Sequence, residues 1–166
     1  MTAELLYRFA VIFHVLAAVV WVGGVIFIGM VAVPAAKKLD DGLRRKLLDE
    51  LGRRFRTIGW SCLGVLVVTG TYLTFHWGAT VETLLDLSFF EHGHTRKLGY
   101  KLLLVIPMLI VSALHDFWLG PRATKEGRTE EQIASDRRLA AIMGRVTGVL
   151  VILIVVLAVL VARPWA

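Results

Sequence analysis

Four stretches of this chain are too long and too apolar for the core of a water-soluble domain: about Leu5 to Val33, Thr57 to Gly78, Lys97 to Leu119 and Met143 to Ala162. Crossing the hydrocarbon of a bilayer takes about 20 residues of helix at 1.5 Å each, and each stretch reaches that length. Lipid offers the backbone no hydrogen bonds, so such stretches fold as helices. The sequence therefore predicts an all-α integral membrane protein, a four-helix bundle forming a single transmembrane domain over residues 1–166, with the lipid bilayer as its first partner. Because 57% of the 166 residues are hydrophobic, little chain is left for a separate soluble domain.

A formal net charge of +6 invites a nucleic-acid reading, but the cations follow topology. Fourteen of the nineteen Lys and Arg residues fall in two connecting segments, Pro34 to Arg56 and Gly120 to Arg145. Segments of this kind stay in the cytoplasm. Both termini and the 79–96 loop are then expected outside, on the periplasmic side of a bacterial inner membrane, and no nucleic-acid partner is expected. The first span is about twice the length of a signal-peptide apolar core and its basic flank follows it, so it is expected as a permanent helix. A single cysteine, Cys62, allows no intramolecular disulfide.

The two halves resemble each other. A shift of 87 residues places Pro34 on Pro121, Lys38 on Lys125 and His14 on Lys101. A shift of 84 places Arg53 and Arg54 on Arg137 and Arg138, and superposes Gly-Val-Leu-Val runs at 64–67 and 148–151. The chain thus reads as two parallel helical-hairpin repeats about an axis along the membrane normal. His14 and Lys101 each precede their proline by about 30 Å of helix, which predicts one depth for both, near the outer edge of the hydrocarbon.

The connecting segments carry their own patterns. Leu39, Leu43, Leu47, Leu51 and Phe55 recur every four residues among charges. That describes either an amphipathic helix lying in the cytoplasmic interface or a solvated extension of the second span. Thr129-Glu-Glu-Gln132 has capping-box spacing, so the last helix is expected to begin well before the membrane.

Ionisable side chains inside spans are costly, and they mark functional paths or paired contacts. His14 and Trp21 share a helix face with the small residues Ala10, Ala17 and Ala18, and Gly23 and Gly24 lie one turn below. A groove of this kind admits either a neighbouring helix or a flat macrocycle. His14 is a candidate ligand or proton carrier, with an interhelical hydrogen bond as the plainer alternative. Lys101 either snorkels to the headgroups or serves as a counter-charge, proton carrier or iron ligand. Pro107 is expected to kink its helix and free a carbonyl near Leu103. His76 stands near the outer end of the second span, one turn after Tyr72. His92 and His94 form a His-x-His in the outer loop, a weak copper or zinc motif, and His115 beside Asp116 reads as a hydrogen-bonded pair at the cytoplasmic end.

The runs His14 to Phe27, Arg54 to Leu73 and Gly99 to Ala123 resemble the CopD family of bacterial inner-membrane proteins, linked to copper resistance or uptake. The positions that match are His14, Trp21, Gly23, Gly24, Arg54, Phe55, Thr69, Gly70 and Lys101, with His115 where the family usually has asparagine. The same features look like the HemJ-type protoporphyrinogen oxidases, which bind haem b, although Phe-Ile-Gly-Met replaces their Tyr-Leu-Pro-Arg run. The CopD resemblance implies copper handling, and the expected outward-side site is built on His14, with His76 as second ligand and Lys101, Trp21 and Gly24 shaping the pocket. A periplasmic copper carrier is the implied partner, and four helices alone imply a homo-oligomer. Copper(I) favours sulfur ligands, and the chain has only Cys62 and four methionines. Histidine-rich chemistry also suits haem b, with His14 as axial ligand, Lys101 opposite and quinone as partner. A cofactor-free structural subunit is the third reading.

Overall fold

The computed structural model describes residues 2–86, 93–119, 122 and 129–162, and all regular structure among them is helical. Helix α1 (Thr2–Phe27) has no terminator at its end. It passes through a five-residue π segment, Ile28–Ala32, into the short α2 (Val33–Ala36). Pro34 follows directly on the π segment, within a helix that continues from Thr2 to Ala36, and its ring denies that helix one N–H.

Helix α3 (Asp41–His76) runs unbroken for 36 residues. The leucine stripe is therefore a polar extension of the second span, and no separate interfacial helix forms. Ion pairs hold its charged turns: Arg44 to Asp41 at 2.7 Å, and both Arg53 and Arg54 to Glu50 at 2.6 Å. At the far end Gly78 adopts φ +87°. Its N–H donates to the Phe75 carbonyl, and the Ala79 N–H donates to that of Thr74. This is a Schellman cap, which needs glycine because an L side chain strains at positive φ.

A short α4 (Val81–Leu85) follows, then α5 (Gly93–Ala113), a second π segment (Leu114–Leu119) and α6 (Glu130–Ala162). Helix α5 stays α-helical past Pro107, and its register changes only at Leu114. The capping box forms as expected. The Gln132 N–H donates to Thr129 Oγ1 and the Thr129 N–H to Gln132 Oε1, both at 3.3 Å, so α6 begins well before its apolar stretch.

Thr2–Ala36, Asp41–His76, Leu98–Leu119 and Glu131–Leu160 are each long and apolar enough to cross a membrane. Large apolar side chains point outward along them, Val68 with 70% exposure and Val19 with 63%. Water would not tolerate a surface of this kind, whereas lipid is its natural solvent. The hydroxyls of Ser61, Thr69 and Thr74 donate back to carbonyls four residues earlier, so none needs water within a span.

The contacts divide the chain into two compact units, Met1–Val81 and Glu82–Ala166. In the first, α1 packs on α3; in the second, α5 packs on α6. Internally the units share a plan. A shift of 86 to 87 residues superposes the two π segments, a correspondence that hydropathy alone did not reveal. The 87-residue shift also relates Trp21 to Met108 and Ala32 to Leu119, all buried, and His14 to Lys101, both half-buried.

Candidate functional site

The face of α1 that carries His14 is the face that meets α3. The contacts run in antiparallel register. The Tyr7 ring stacks on His76 with centroids 4.6 Å apart. Two turns along, His14 Nδ1 lies 2.8 Å from Thr69 Oγ1. Beyond it Trp21 lies against Gly59, where an added Cβ would sit 3.4 Å from indole Cδ1. Last, Gly24 lies under the ring of Phe55.

Small residues make this approach possible. A Cβ on Gly70 would come within 3.2 Å of His14 Cε1, so the imidazole edge lies on the α3 backbone at that point. Ala10 and Ala17 are buried on the same face of α1. The groove that the sequence left open to a helix or a macrocycle is filled by α3. Trp21, only 6% exposed, and Gly24 are both engaged in that packing.

His14 and His76 are not brought together. Thr69 is level with His14, and His76 lies seven residues further along α3, about 10 Å by helical rise. The His76 ring is occupied by Tyr7 and by Tyr72, whose centroid is 5.8 Å away. In this structure the two histidines therefore stand at separate levels of one helix pair. Lys101 stands half-buried on α5 in the second unit. His115 Nδ1 is 2.9 Å from Asp116 Oδ1, the pairing expected of it. His92 and the side chain of His94 lie outside the described residues. Among the described residues no three His, Cys, Asp or Glu side chains gather to hold a metal ion.

Sequence reasoning missed two contacts. Thr69 was visible only as part of a family pattern, and Tyr7 was not singled out. The signal was available in the register: once His14 is set against Thr69 in an antiparallel pair, Tyr7 must fall opposite His76.

The family model for CopD, copper resistance protein D, matches residues 49–161. The matched stretch contains Thr69, Gly70 and Lys101, while His14, Trp21 and Gly24 precede it. An uncharacterized protein of Aquifex aeolicus (strain VF5) is 34% identical over 111 residues, covering 66% of this chain and 68% of that protein. No solved structure matches the chain.

Proposed function

The chain belongs to the CopD family, and from that premise we propose that it handles copper ions at a bacterial inner membrane, with His14 as the residue that meets the ion. The observation that carries this reading is a half-buried imidazole inside a membrane helix, held to the neighbouring helix through one ring nitrogen, Nδ1. Imidazole is a frequent copper ligand.

Two histidines at separate levels of one helix pair suit passage of the ion. Passage calls for stations that bind well enough to admit the ion and weakly enough to release it. His76 is the outer station, reached first from the periplasm, where a copper carrier is the partner; His14 is the inner one. Lys101 takes the corresponding sequence position in the second hairpin.

The purified protein in detergent tests this. The expected result is a colourless protein that binds copper reversibly and loses that binding in His14→Ala while its helicity is unchanged. A Soret band that disappears in His14→Ala would replace copper with haem. Neither colour nor copper binding would leave a structural membrane subunit.

A further inference from the structure

We propose that Thr69 is a positioning residue: it fixes the tautomer of His14 and so places the imidazole lone pair on Nε2, the atom that meets the copper ion. The ligand in this statement rests on the copper reading above. The tautomer rests on geometry alone.

Thr69 Oγ1 makes two close polar contacts. It lies 2.6 Å from the Val65 carbonyl oxygen and 2.8 Å from His14 Nδ1. Each contact needs one hydrogen, and the hydroxyl owns one. The Val65 carbonyl has none to give, so the hydroxyl proton lies between Oγ1 and Val65. The hydrogen in the other contact must then be carried by His14 Nδ1. The reverse assignment would leave two oxygens 2.6 Å apart with no proton between them. A neutral imidazole has one N–H, so its lone pair is on Nε2.

The arrangement is a relay of three groups: Nδ1–H donates to Thr69 Oγ1, and the Thr69 hydroxyl donates to Val65. Each bond polarises the next. Gly70 completes it, since its missing side chain lets the Nδ1–Cε1 edge of the ring reach α3. A histidine that ligates a metal commonly donates its other ring N–H to an oxygen that orients it and makes the ligating nitrogen more basic. A side-chain hydroxyl on the facing helix plays that part here. Binding at Nε2 leaves the Nδ1–H bond to Thr69 intact.

The test uses full-length protein labelled with 15N-histidine in lipid nanodiscs, where nitrogen chemical shifts distinguish the two tautomers, with the His14 signal identified by its loss in His14→Gln. Free imidazole side chains favour the proton on Nε2, so a Nδ1–H form requires a cause. The wild type is expected to show the Nδ1–H tautomer. Thr69→Ser keeps the hydroxyl and is expected to keep both that tautomer and copper affinity. Thr69→Val keeps the shape but not the hydroxyl, and is expected to shift the tautomer and weaken copper binding by about 10- to 100-fold. If Thr69→Val retains the wild-type tautomer, the proposal is overturned whatever copper does. If the tautomer responds as described but His14→Ala binds copper like the wild type, the copper reading fails while the role of Thr69 stands.

Discussion

Gly24 lies directly beneath the ring of Phe55, so that a Cβ built on it would overlap ring Cε2 and sit 2.8 Å from Cζ. Its neighbour Gly23 has nothing within 4 Å of the same position. Two glycines that look alike in sequence therefore differ in what they permit. Gly24→Ala forces the ring or the helix pair to move, and overpacking of this kind costs about 1–3 kcal/mol. Gly23→Ala meets no obstacle and removes a flexible residue from a helix, a change worth roughly 0.5–1 kcal/mol in favour of folding. Unfolding in mixed detergent, followed by circular dichroism, is expected to rank Gly23→Ala at or above wild type and Gly24→Ala clearly below it.

Trp21 and Gly59 make a graded case. An alanine at 59 would stand 3.4 Å from the indole, an ordinary van der Waals contact, so Gly59→Ala is expected to be tolerated. Gly59→Leu pushes a branched side chain into the space the indole fills and is expected to separate α1 from α3. Trp21→Ala acts from the opposite side and leaves a void. Lipid supplies no hydrophobic drive between helices, so the loss is mainly one of packing. Its cost is then about 1–3 kcal/mol, below the 3–5 typical of a soluble core. Resistance of the detergent-solubilised protein to proteolysis reads all three variants on one scale.

Element type was legible here because lipid imposes a simple rule: long apolar stretches must be helical. The capping box at Thr129 and the Asp116–His115 pair were legible because both are local. The reach of α3 through the charged segment stayed undecided, since a leucine every four residues fits a helix in the interface as well as one continuing out of it. The partner of His14 was also undecided. A face of alanine and glycine accepts a helix or a flat ligand equally, and only the cross-helix register distinguishes them. The π segments have no composition signature, and neither Pro34 nor Pro121 announces the change of register that precedes it.

Topology can be read with thiol reagents that do not cross membranes. In a Cys62→Ser background, Arg45→Cys lies in the basic amino-terminal part of α3, and Ala79→Cys lies at the last residue of its Schellman cap. The bias of basic residues predicts that Ala79→Cys is labelled in intact spheroplasts and Arg45→Cys only after the membrane is opened. The opposite pattern would place the termini in the cytoplasm and put the His76 end of the first hairpin on the inner side.

The separation of His14 from His76 makes the two histidines distinguishable in function. Sites about 10 Å apart act nearly independently. His76 stacks with Tyr7 and Tyr72, whereas His14 contacts Thr69. Equilibrium copper binding to purified His76→Ala is therefore expected to stay within about twofold of wild type, whereas His14→Ala is expected to lose it. Loading is different under the proposed topology, in which an ion entering from the periplasm meets His76 first. Stopped-flow mixing of His76→Ala with a copper-loaded chelator is expected to show slower filling of the His14 site, with final occupancy little changed. Should His76→Ala abolish equilibrium binding as completely as His14→Ala, the two imidazoles share one ion, and α3 must shift or rotate along α1 to bring them together.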